Sequence, residues 1–154
     1  MLNNDVLRSI RYMLDLSDAK MAEMVQASGH DIRLDTMQAF LKKVDEAGFA
    51  ECDDLTLAHF LDALIILRRG KDESRPVPPI ELPVSNNLVL KKLRTAFELK
   101  DDDICAMLAA AGFTVSKHEL SAFFRRKDHK HFRACGDQFL RHFLKGLTQR
   151  VRKV

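Results

Sequence analysis

Cysteine is scarce in this chain of 154 residues. The three present, Cys52, Cys105 and Cys135, are widely spaced and form no Cys-x-x-Cys pair. An odd, scattered set excludes a disulfide framework and fits a reducing compartment. No apolar run approaches the ~18 residues of a membrane span. The opening residues Met1 to Asp5 lack a basic stretch followed by an apolar one, so no secretory leader is read there and a cytoplasmic location is expected. No convincing strand pattern occurs, although Phe113-Thr114-Val115 suits a short extended link. Phosphate loop, GxGxxG, HExxH and GxSxG are all missing. No catalytic residue, cofactor or metal is therefore assigned. Proline is absent except between Lys71 and Ser85, a stretch that holds all four. Lacking an N–H and restricting its neighbour, proline makes that segment extended and non-helical.

What is present is the composition of a globular protein, 46% apolar and 31% charged. The dominant feature is an internal repeat. Displaced by 83 positions without a gap, residues 3–70 align with 86–153, and 22 of the 68 pairs are identical. Chance gives roughly 4 at ordinary composition. Asn3-Asn4 falls on Asn86-Asn87, Arg11 on Arg94, Asp18 on Asp101 and Gly29 on Gly112. The densest stretch sets Asp45, Phe49, Cys52, Asp54, Leu57, His59-Phe60-Leu61 and Leu64 on Asp128, Phe132, Cys135, Asp137, Leu140, His142-Phe143-Leu144 and Leu147. The organisation expected is a first repeat over 1–70, a proline-rich linker over 71–85 and a second repeat over 86–154. Units of this size bury little surface alone, so the two are expected to pack about a pseudo-twofold.

Each unit reads as four helices, making the chain all-α. The first runs from about Asp5 to Leu14 with Asn3 or Asn4 as cap, and its counterpart starts after Asn87. The second begins at Asp18 or Asp101 and stops at Gly29 or Gly112. The third opens near Asp35 and, in the second unit, at Ser116-x-x-Glu119, a capping box. The fourth and longest follows Asp54 or Asp137. Its apolar stripe is Leu57, Phe60, Leu61, Leu64 in one copy and Leu140, Phe143, Leu144, Leu147 in the other.

The doubled pattern Asn-Asn-x-Val-Leu, Asp-x-x-x-Phe-x-x-Cys-x-Asp and Phe-Leu-x-x-Leu, with Arg69-Gly70-Lys71-Asp72-Glu73-Ser74 after the first copy, resembles the YehS-like family. These are small bacterial proteins classed as a domain of unknown function. The resemblance spans essentially the whole chain. It implies a cytosolic bacterial protein made of two copies of one domain, and it supplies no catalytic residue and no ligand.

Charge divides unevenly. The net is −4 over residues 3–70, −1 over 71–85 and +8 over 86–153. Such asymmetry points to an anionic partner for the second half. Its densest part runs from Phe123 to Arg133, where cations interleave with aromatics as in surfaces that hold phosphates and stack bases. A second basic run, Arg150 to Lys153, closes the chain. Nucleic acid is the leading partner, with Lys117, Arg125, Arg126, Lys127, Lys130 and Arg133 as contact residues. The alternatives are an acidic protein, or a homodimer in which acidic and basic halves dock on one another. Membrane-surface binding through the last helix is disfavoured. Phe123 and Phe132 align with Phe40 and Phe49 of the acidic half and belong to the core.

Residues 102–126 have the order of a helix-turn-helix, which would offer Ser116, Lys117, Ser121, Arg125 and Arg126 to DNA. The link from Gly112 to Ser116 is long for that motif, and the first unit carries Asp31, Arg33 and Asp35 in its place. Cys52/His59 and Cys135/His142 share a spacing that is not a zinc-finger spacing. Each cysteine is expected to be a small buried group, and each histidine, roughly 150° from the apolar stripe, to touch a neighbouring helix or solvent. Asp101-Asp102-Asp103 suits a helix start on dipole grounds alone.

Overall fold

The computed structural model describes residues 1–153, which contain eight α-helices and no strand. They fall into a first unit, Met1–Val84, and a second that begins at Ser85. The first unit holds α1 (Asn3–Leu14), α2 (Asp18–Ala27), α3 (Leu34–Leu41) and α4 (Asp54–Arg69). The second holds α5 (Asn86–Ala96), α6 (Asp101–Ala110), α7 (Lys117–Phe123) and α8 (Asp137–Arg152). In the first unit α2 packs on α3 and α4, and α1 packs on both of the same helices. In the second, α6 packs on α7 and α8, and α5 packs on α8.

The helical stripes predicted from spacing form the cores. Leu57, Phe60, Leu61 and Leu64 on α4 are buried beside Leu7, Ile10, Met21 and Met37. Leu140, Phe143, Leu144 and Leu147 on α8 do the same beside Leu90, Leu93, Ile104 and Leu120. Gly29 and Gly112 lie just past α2 and α6 with φ of +98° and +84°, a left-handed backbone that stops each helix without a Cβ clash. Ser116 accepts from the Glu119 N–H at 3.1 Å, as the capping pattern predicts. No helix among the described residues is long and apolar enough to cross a membrane.

The asparagines at the head of each repeat are not caps. Leu2 occupies the cap position of α1, and its own N–H donates to the Asp5 carboxylate at 2.9 Å. Ser85 caps α5 by accepting from the Leu88 N–H. The asparagines are the first two residues of each helix and reach across their unit. Asn4 Nδ2 donates to the carbonyls of Phe40 (2.9 Å) and Ala50 (2.8 Å), while its oxygen accepts from the Cys52 N–H at 3.0 Å. Asn87 makes the same three bonds, to Phe123 O (3.0 Å), Arg133 O (2.9 Å) and Cys135 N (2.9 Å). Asn3 donates to Cys52 O and to Asp54 Oδ1, and Asn86 donates to Cys135 O and to Asp137 Oδ1. Each pair thus clamps both ends of the loop that precedes the long helix. Asn4 is fully buried, so its bonds satisfy backbone groups that water does not reach. The other oxygen of Asp54 accepts from the Val84 N–H at 3.1 Å, which anchors the far end of the proline segment to the start of α4.

Candidate functional site

The clamped loop of the second unit carries most of the charge singled out above. Between α7 and α8, Arg125, Arg126, Lys127, Lys130 and Arg133 stand against one carboxylate, Asp128. Three backbone bonds shape the loop: His129 N–H to Arg126 O (2.9 Å), Phe132 N–H to His129 O (3.0 Å) and Arg133 N–H to Ala122 O (3.1 Å). Arg126, Lys127, Lys130 and Arg133 are exposed and Arg125 is half-buried. Arg126 approaches Asp128 at 3.5 Å, with both side chains open to solvent, a pairing worth little in water. Where the loop leaves α7, the Arg94 guanidinium lies 4.5 Å over the Phe124 ring and also forms an ion pair with Asp101 at 2.8 Å.

Lys117 does not join this group. It opens α7, at the opposite end of that helix from the loop, and pairs with Asp102 of α6 at 2.6 Å. The hydrogen bond and charge of Asp102 hold its ammonium above the usual lysine range. Asp103, next in line, accepts from the Lys100 N–H and then from Arg150, and its carboxyl titrates below the usual range for those reasons. Asp103 thus caps its helix, while Asp102 and Asp103 tie up Lys117 and Arg150. α7 is seven residues long, about 10 Å, and six residues separate it from α6. These dimensions and the tethered Lys117 give no support to a helix-turn-helix.

The cysteines are packing groups. Cys52 and Cys135 are free and buried. Burial, reinforced by Asp53 and Asp54 at Cys52 and by Asp137 at Cys135, pushes each thiol up to about 12. Each therefore rests as the neutral thiol at neutral pH. No cluster of three or more metal-ligating side chains occurs among the described residues.

One constellation has no precursor in the repeat pattern. In the first unit His59 stacks on His30 with centroids 5.1 Å apart and rings 11° from parallel. His59 Nδ1 lies 2.8 Å from Ser28 Oγ, and His30 Nε2 lies 3.2 Å from Thr56 Oγ1, which donates to Asp53 at 2.6 Å. Ser28 also borders a cleft of about 440 Å³ between α2, α4 and the proline segment, floored by Met24, Ala63 and Ile66. A serine beside an imidazole suggests acyl transfer, but the local backbone opposes it. Ser28 closes α2, where the helix dipole is negative. The N–H groups of Ser28, Gly29 and His30 are all spent on carbonyls of that helix, so they cannot cradle an oxyanion. In the second unit Ala111, Phe113 and Phe139 replace Ser28, His30 and Thr56, and His142 packs on Phe113 at 4.7 Å. Both histidines of the long helices therefore touch the turn after the second helix of their unit. That agrees with their position off the apolar stripe.

Fold and clamp together define the class, an all-α protein built from two copies of one four-helix repeat. A family model described as "Protein of unknown function (DUF1456)" matches residues 3–70 and again residues 86–153, and the chain belongs to that family as a tandem pair. It is 47% identical over 150 residues to the uncharacterized protein YehS of Escherichia coli (strain K12), covering 97% of this chain and 96% of that one. No solved structure matches.

Proposed function

We propose that this is a non-enzymatic, cytoplasmic nucleic-acid-binding protein whose contact surface is the α7–α8 loop. The observation that carries the reading is the contrast between two loops of one design. The α3–α4 loop has the same three backbone bonds, Glu46 N–H to Lys43 O, Phe49 N–H to Glu46 O and Ala50 N–H to Ala39 O. Its charge is balanced, with Lys42 and Lys43 against Asp45 and Glu46. Over the aligned nine residues the second unit has a net of +4 and two additional histidines. Since the frame needs no such charge, a polyanionic partner is the simplest account of it.

The test is fluorescence anisotropy with mixed-sequence oligonucleotides at low salt, comparing the natural chain with Lys127→Glu/Lys130→Glu. Both side chains are exposed, so circular dichroism and thermal midpoint stay unchanged. The expected result is a loss of at least tenfold in affinity. The natural chain should also show a log–log salt slope of about −3, as expected for four to five phosphates on a single strand. Unchanged affinity in the variant, or no binding by the natural chain, refutes the reading. In the second case an acidic protein or a second copy of the chain becomes the candidate partner.

A further inference from the structure

We infer that the α7–α8 loop takes single-stranded rather than duplex nucleic acid, an inference that rests on the function just proposed. Three features lead there. First, the loop presents rings as well as charges. His129 and His131 are both exposed, with centroids 5.6 Å apart and planes at 44°. The His131 N–H donates to His129 Nδ1 at 3.0 Å. That bond fixes the orientation of the His129 ring and leaves Nε2 to carry the proton of the neutral imidazole, a donor for a base edge or a phosphate. Imidazole faces stack on bases, and base faces are accessible only where bases are unpaired.

Second, the parts a duplex reader uses are missing or occupied. A groove-reading helix projects side chains from its first turns. Here the first turn of α7 holds Lys117, bound to Asp102, and Glu119, hydrogen-bonded to Ser116, beside the exposed His118, so two of its three outward side chains are occupied. Of the cations predicted as contacts, the five other than Lys117 lie beyond the other end of α7, within nine consecutive residues, a footprint suited to one backbone.

Third, the loop is already ordered. The Asn87 clamp holds its two ends through Phe123 O and Arg133 O, and the three turn bonds set its course between them. Little conformational entropy is then lost when a flexible strand lies against it.

The experiment compares one short single-stranded oligonucleotide, the duplex formed with its complement, and inorganic polyphosphate of similar charge. Each is titrated with the full chain, with His129→Ala/His131→Ala and with His129→Phe/His131→Phe. The natural chain should bind the single strand at least tenfold more tightly than the duplex. The alanine pair should lose about tenfold on the single strand, as expected for removal of base-stacking rings, with polyphosphate affinity unmoved. The phenylalanine pair, which keeps a ring, should recover most of that loss. Duplex binding as tight as single-strand binding, or an alanine pair that binds the single strand normally, overturns this inference and leaves nucleic-acid binding standing. Failure of the natural chain to bind either nucleic acid overturns both.

Discussion

From Lys42 to Ala50 the first unit carries two cations and two carboxylates, whereas from Arg125 to Arg133 the second carries five cations and one carboxylate. The two stretches nonetheless fold alike, through three matching backbone bonds and a matching asparagine clamp. The residues that repeat between units are the ones that build this frame: Asn4 and Asn87, Phe40 and Phe123, Cys52 and Cys135, Asp54 and Asp137. Most of the loop positions that diverge face solvent. Lys42 places its ammonium on Ala47 O at 2.9 Å and Glu46 accepts from the Lys43 N–H, so the first loop spends charge on itself. In the second, Lys130 and His131 replace Ala47 and Gly48, and its charge is turned outward. In these two loops frame and surface chemistry vary separately, and a binding property that differs between them belongs to the surface.

The comparison breaks most sharply at the clamp. Asn4→Ala leaves Phe40 O, Ala50 O and the Cys52 N–H without partners, in a place where Asn4 itself has no exposed surface. A buried group stripped of its partner costs about 1–3 kcal/mol, so a loss of about 3–4 kcal/mol is expected for three groups that relax in part. Asn87 makes equivalent bonds but is only half-buried, and water replaces some of them. Asn87→Ala is therefore expected to cost about 2 kcal/mol. Urea denaturation of the full chain, followed by helical circular dichroism, measures both. Equal costs would mean that the two frames are energetically alike despite their different exposure.

The clamp also marks the boundary of what sequence made legible. Eight helices, their order and their apolar stripes follow from spacing, because a helix meets its partners through a local period. The repeat itself was visible as identity. The reason for its densest part was not, since Asn3 and Asn4 find their partners 36 to 51 residues away. Local preference assigned those asparagines to caps, and tertiary hydrogen bonding overrode it. The same blindness put Lys117 among the free cations, because its partner Asp102 lies across a turn. The five loop cations were recognisable because they crowd into nine residues of sequence. The Ser28–His59–His30 network had only a faint trace, a histidine off the core face, and Ser28 and His30 have no polar counterparts in the second unit.

A subtler difference lies where the long helix crosses the second helix of its unit. α8 carries Gly146 there, and a Cβ built on it would lie 2.6 Å from Met107 O and 3.0 Å from Met107 C. That neighbour is backbone and cannot swing aside. The aligned position of α4 is Ala63, whose methyl is buried without such a conflict. Gly146→Ala must push α6 and α8 apart. Overpacking costs roughly 1–3 kcal/mol, offset by about 1 kcal/mol of helix propensity. A net loss of about 1–2 kcal/mol is expected in the same denaturation assay. Ala63→Gly should cost about 1 kcal/mol for the ordinary reason of lost propensity. A stabilised Gly146→Ala would show that the two crossings are interchangeable.

The smallest effect tests the charge contrast directly. Lys43 aligns with Arg126, and both are exposed cations at the entry of their loop. If binding is a property of the second surface alone, Lys43→Glu leaves oligonucleotide affinity within about twofold, since Asp45 and Glu46 already cancel the field of the first loop. Arg126→Glu, the same change in charge at the matching site, should weaken binding several-fold and flatten the salt slope by about 0.7 for the lost phosphate contact. Stability is uninformative here, because both side chains lie in water and neither belongs to a clamp. Equal weakening by the two variants would mean that the affinity follows net charge rather than a loop, and the assignment of a surface to the second repeat would fall.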